Sequence, residues 1–145
     1  MRALRHRLAN KTGDDEGSVL LLTIGYAMLA LAAILVCVSA TSLYLEQKRL
    51  DGLADAAALA GADGFELTLD GDAVRAQLDG SGVRAQAQAL VEDVGAGAVL
   101  VSASTPDGVS ARVTVRGRWD PPLLSLFVPD GLTLEATATS RTALR

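Results

Sequence analysis

From Ser18 to Leu45 the chain runs for 28 residues without a charged side chain, and Leu, Ala, Val and Ile dominate the stretch. As a helix it is roughly 42 Å long at about 1.5 Å per residue, against a bilayer hydrocarbon core of about 30 Å. In a chain of 145 residues a buried core helix of this length would leave little else to surround it, so the run is read as membrane-spanning. A cleaved signal peptide is the competing reading, with Ala58-Leu59-Ala60 as its small-x-small site. The apolar run far exceeds a signal h-region of about 7 to 15 residues, and Glu46, Lys48, Arg49, Asp51 and Asp55 stand between it and that site. Both features favour a retained anchor.

Charge sets the direction. Arg2, Arg5, Arg7 and Lys11 precede the span and only Lys48 and Arg49 follow it closely, the bias of a helix whose N-terminus stays in the cytoplasm. The expected organisation is a cytoplasmic tail over 1–17, a transmembrane helix over 18–45 and an extracytoplasmic domain over 46–145, single-pass in the cytoplasmic membrane. The formal net charge of −4 divides into +1 on the tail and −5 beyond the span. No basic patch for nucleic acid is visible. Within the span, Ala33, Cys37 and Thr41 recur one turn apart, a spacing that lets another membrane helix approach closely. Cys37 is the single cysteine, so it forms no disulfide within the chain. Its apolar setting makes it a packing residue rather than a reactive thiol.

No proline occurs from Ser18 to Asp63, and Glu46 to Ala60 is rich in helix formers, so the helix continues past the membrane. Leu50, Leu53, Ala57 and Ala60 fall on one face of that extension and Gln47, Lys48, Asp51 and Asp55 on others. A second helical stretch is expected over Asp72–Asp93, with Val74, Leu78, Val83, Ala87, Leu90 and Val94 inward and Gly80-Ser81-Gly82 as a break. The period then becomes that of strands. Val99, Val101 and Ala103 share one side, and Thr105-Pro106-Asp107-Gly108 is a turn. Val109, Ala111, Val113 and Val115 alternate with Ser110, Arg112, Thr114 and Arg116. After Asp120-Pro121-Pro122, an apolar bridge from Leu123 to Phe127 leads to a third strand with Leu132, Leu134, Ala136 and Ala138 on one face. The pieces make an α+β fold: one N-terminal transmembrane helix continues into an amphipathic helix packed on a small antiparallel sheet, in a pilin-like arrangement. Aromatic residues are only 3% of the chain, so the core is built from Ala, Val and Leu.

Much chemistry is excluded by residue type. The single histidine, His6, lies in the tail, so no Ser-His-Asp or Cys-His arrangement and no His/Cys zinc site can form in the domain. Gly95-Ala96-Gly97 lacks the further glycine of a dinucleotide loop and reads as a linker. Asp70, Asp72 and Asp79 do not match an EF-hand loop and read as solvated turn residues. Trp119, the single tryptophan, reads as a core residue at a strand end, with a partner anchor as the alternative. The expectation is a protein that is not an enzyme, with no cofactor, metal or small-molecule substrate.

The juncture Leu43-Tyr44-Leu45-Glu46-Gln47-Lys48-Arg49-Leu50, followed by Ala54-Asp55-Ala56-Ala57-Ala58-Leu59-Ala60-Gly61-Ala62, resembles the TadE/TadG-like proteins of Flp pilus assembly, as does Gly17-Ser18-Val19 opening the apolar run. The resemblance covers roughly the first 65 residues. It implies a membrane-anchored accessory of a tight-adherence pilus or related secretion system, of the small kind found in high-GC actinobacteria, working with pilins or other assembly proteins. Leu22 stands where processing after Gly17 would call for Glu, which argues against prepilin cleavage. Val38-Ser39-Ala40-Thr41 lacks the acidic residue that TadG-like members often carry there. The function expected is a structural one, a minor pseudopilin-like or scaffold subunit. The alternative is an anchored extracytoplasmic binding or sensor module, although a tail of some sixteen residues offers no folded effector. Intact-mass measurement on carbonate-washed membranes is expected to return a chain starting at or near Met1. A mass lacking everything through Ala60 would overturn the retained anchor.

Overall fold

A computed structural model of the chain describes residues 12–70, 73–122 and 130–141. It divides into two compact units, Met1–Ala40 and Thr41–Arg145, with one helix, α1 (Thr12–Asp63), running through both. In the first unit the helix carries most of the charge-free run, and its large apolar side chains from Val19 to Val38 are exposed except for the half-buried Leu35. It is long and apolar enough to cross a membrane. Most of the tail expected over 1–17, His6 included, lies outside the described residues.

The second unit is α+β. After α1 come strands β1 (Phe65–Asp70) and β2 (Ala73–Leu78), helix α2 (Gly80–Val94), and strands β3 (Val99–Ser104), β4 (Ser110–Trp119) and β5 (Leu132–Arg141). The last three form an antiparallel sheet in the order β3-β4-β5, and β1 and β2 form a separate antiparallel hairpin. One face of α1 packs on the sheet. Leu50, Ala54, Ala57 and Ala58 form a core with Val113, Val115 and Ala136 of the sheet and Ala87 and Val91 of α2. Leu53 packs against the same cluster while only partly buried, and Ala60 is half-buried. Alanine at three of these helix positions lets the helix backbone come close to the sheet, and Gly117 makes room for the one large residue. A Cβ at Gly117 would lie 2.9 Å from Cδ2 of Leu50, well inside van der Waals contact.

Strand β4 alternates as its sequence does, with Ala111, Val113 and Val115 buried and Arg112 and Arg116 exposed. Val109 precedes the strand and is exposed. On β5, Ala136 is buried and Leu134 and Ala138 pack on the core, while Leu132 stays exposed at the end.

Two expectations require correction. The stretch from Asp72 is not helical until Gly80. Ala73–Leu78 is a strand paired with Phe65–Asp70, from Phe65↔Leu78 to Asp70↔Ala73, which leaves two residues for the connection. The pair between these runs of alternating apolar residues, Gly71-Asp72, is a hairpin signal in sequence, and it overrides the helix-forming Ala, Arg and Gln of 73–78. In α2 the inward residues are Val83, Ala87 and Val91, and Leu90 packs on the core. Val94, in the last turn, is exposed. Leu78 is buried as expected, but from β2, in a second cluster with Ala62, Val83 and Ala111. The other correction is in β3. Its pairing with β4 shifts register between Leu100 and Ser102, and the extra residue of this bulge breaks the two-residue period. Leu100 and Ala103 therefore face the core, whereas Val99 and Val101 are exposed. The Leu123–Phe127 bridge lies outside the described residues, as does Asp72.

Leu50→Ala is expected to lose about 2–5 kcal/mol of stability through lost burial and a cavity, and Gly117→Val about 1–3 kcal/mol through overpacking. Combined, the two should cost less than their sum by at least about 0.5 kcal/mol, since each relieves the other. Urea unfolding of the detergent-solubilised chain, followed by Trp119 fluorescence, measures all three.

Candidate assembly surface

The residues singled out for helix packing divide between two settings along α1. Ala33, Cys37 and Thr41 are exposed, one turn apart on the helix. Leu50 and Ala57 are fully buried within the folded unit, and Leu53 and Ala60 are partly covered. Ala54, Ala58 and Ala62 share the buried face and are as inaccessible as Leu50 and Ala57. Their signal was present in the spacing: 50, 54, 57 and 58 follow the i, i+4, i+7, i+8 stripe of a core-facing helix. Alanine is a weak hydrophobic marker, so the larger Leu residues drew the stripe slightly off its axis.

The second unit carries a surface groove of about 430 Å³ between α1, the α2–β3 connection and the end of β4, bordered by Glu46, Arg49, Leu53, Val94, Gly117 and Arg118. Its charged rim is partly self-paired: Arg49 Nη1 lies 3.5 Å from Glu46 Oε1, and Arg118 Nε donates to Asp120 Oδ1 at 3.0 Å. Exposed pairs of this kind contribute little stability. Further along α1, Lys48 Nζ donates to Asp51 Oδ2 at 3.0 Å and lies 5.9 Å from the Tyr44 ring centroid. The bond to Lys48, helped by one from Gln47, holds the Asp51 carboxyl below the usual carboxylate range and raises Lys48 in return. Among the described residues no three His, Cys, Asp or Glu side chains come together as a metal site would need.

Two aspartates read as turn residues have defined structural work. Asp79 is the N-cap of α2, accepting from Ser81 N at 3.1 Å and from the Ser81 hydroxyl. Asp107 ties the β3–β4 turn, accepting from Ser110 N at 2.6 Å, from Val109 N at 3.1 Å and from Ser110 Oγ at 2.9 Å. These bonds, the serine hydroxyls first, hold both carboxyls below the usual carboxylate range. Trp119 is a core residue at a strand end, with Nε1 donating to Ser42 Oγ at 3.1 Å. Gly95-Ala96-Gly97 is the connection from α2 to β3, opened by Gly95 N donating to Val91 O at 2.9 Å.

A helix of this length and apolarity, with an α+β unit built on its continuation, defines a helix-anchored, single-pass membrane protein. Residues 17–64 match the model of the putative Flp pilus-assembly TadE/G-like family, the family that the juncture resembles. The match begins just ahead of the charge-free run and ends at Gly64, one residue before β1. No curated protein and no solved structure matches the chain.

Because the folded-state carboxyls of Asp79 and Asp107 are depressed, their contribution is complete above the unfolded-state value and is lost as pH falls through the folded-state value. Asp107→Asn is expected to lower the melting temperature at pH 7. It should also flatten the further fall in melting temperature below about pH 4, where unfolded-chain aspartates protonate. Thermal melts of both proteins across pH 7 to 3 check this, and superimposable curves would leave the turn bonds without a role.

Proposed function

We propose that the chain is a non-enzymatic structural subunit of a Tad/Flp-type pilus or a related secretion machine, minor pseudopilin-like in its build. In this reading the N-terminus is cytoplasmic, the α+β unit is extracytoplasmic and the cytoplasmic membrane is the residence. The observation that carries it is the coincidence of the family match with α1. What this chain has in common with Flp pilus-assembly proteins is the apolar helix and its alanine-rich continuation, residues 17–64. A helix with most of its apolar side chains exposed from Val19 to Val38 suits the joining of neighbouring membrane helices through the small residues Ala33, Cys37 and Thr41. The sheet is left to meet pilus or secretion components outside.

Deleting the gene is expected to abolish assembly of the pilus or secretion complex, with restoration by the full chain. Replacing Ala33 and Cys37 together by Leu should leave the folded unit intact and reduce the yield of assembled complex several-fold. Unchanged assembly in the deletion strain would count against the proposal.

A further inference from the structure

The two sides of the three-stranded sheet differ in charge. Val113, Val115 and Ala136 point towards the helices, and alternation leaves Arg112, Arg116, Arg118 and Arg141 exposed on the opposite, open face. Glu135 is the only acid of β4 and β5, so this face is net positive on a region that carries −5. Its rows are joined across the strands: Arg112 Nε donates to Thr139 Oγ1 at 3.3 Å, the Thr114 and Thr137 hydroxyls are 2.8 Å apart, and Arg116 Nη2 lies 2.6 Å from Glu135 Oε1. Arg112 has no carboxylate partner among the described residues. Arg116 holds Glu135 through Nε and Nη2, which leaves Nη1 to donate.

The helical side carries the complement. Asp55, Leu59 and Asp63 are exposed one turn apart on α1, and neither aspartate accepts a hydrogen bond or forms an ion pair among the described residues. Asp55 to Asp63 measures about 12 Å along a helix, and Arg112 to Arg116 about 14 Å along a strand. Leu50 lies against Gly117 while Ala62 clusters with Ala111, so α1 runs antiparallel to β4. Laying Asp55 of a second copy on Arg116, and its Asp63 on Arg112, therefore stacks the copies with their helices pointing the same way. Leu59 then falls over Thr114, between the two arginines.

We propose that the open face of β3-β4-β5 docks the Asp55–Leu59–Asp63 stripe of a second copy of this chain, head to tail. The contact is heterologous, so each copy keeps one face for the next and the assembly stays open. Strands about 4.8 Å apart and about 34 Å long present at most roughly 500 Å², below the roughly 800 Å² per partner of a standard interface. The contact therefore depends on its charges and is salt-labile. It goes beyond the joining of membrane helices and stands without it.

Sedimentation velocity of the full chain in nonionic detergent, at about 50 and about 500 mM salt, tests this. The wild-type chain is expected to form oligomers that grow with concentration at low salt and dissociate at high salt. Arg112→Glu and Asp55→Lys, both at exposed positions, should each weaken association at least about tenfold and leave thermal melting intact. Mixing the two variants is the decisive arm: the acidic stripe of the first still fits the sheet of the second, so a 1:1 pair forms and grows no further. A wild-type chain that stays monomeric at low salt would overturn the proposal, and Arg112-dependent binding of polyglutamate by that monomer would reassign the face to an acidic partner protein. Oligomers that ignore both salt and the substitutions would overturn it and leave the joining of membrane helices in place. Variants that melt normally yet fail to pair when mixed would overturn the head-to-tail contact.

Discussion

The second unit depends on how closely α1 can approach the sheet. Ala54, Ala57 and Ala58 present almost no side chain between the helix backbone and β4, and Gly117 removes the one Cβ that would collide with Leu50. Close approach is how a chain with so few aromatic residues builds a dense interior: short side chains give up buried area per residue and recover it in contact density. The other elements follow from that seating. Val113 and Val115 fill the space between the alanines, α2 closes the side with Val83, Ala87 and Val91, and the β1–β2 hairpin covers the helix end through Leu78. The hairpin is further fixed by Leu78 N donating to Gly108 O at 2.9 Å, which links it to the turn that Asp107 organises.

What was legible in the sequence was whatever the physics writes with a strong contrast. A charge-free run of this length has one common reading, and the alternation of Val with Arg and Thr along β4 fixes both its face and its pairing. The third strand was readable for the same reason. The hairpin was not, because Ala, Arg and Gln in β2 favour helix and the Gly71-Asp72 signal competed with a helical period running on into α2. The bulge in β3 was invisible to any two-residue count: nothing in Val99-Leu100-Val101 says that Leu100, rather than the valines, faces the core. Only pairing with β4 decides it, and pairing is a property of the whole sheet.

The functional surface was legible in part. Exposed small residues on the apolar helix are named by spacing alone, whereas the groove beside Arg49 and Arg118 joins residues almost seventy positions apart in the chain. Trp119 illustrates the same limit. Its burial could be anticipated from its place at a strand end, but its partner, Ser42, lies 77 residues earlier. Asp79 and Asp107 looked alike as turn residues and perform different tasks, one opening a helix and the other binding two strands together.

The continuity of α1 has a consequence for proteolysis. Ala58-Leu59-Ala60, the segment that most resembles a signal-peptidase site, includes a residue with no exposed surface, and Leu50, Ala54 and Ala57 lie on its upstream side. A cut after Ala60 would not liberate a finished domain. It would carry off the helical half of the interior and leave β4 with its valines facing water. Release and folding are thus mutually exclusive for this chain, and once folded the unit protects the very bond whose cleavage would set it free.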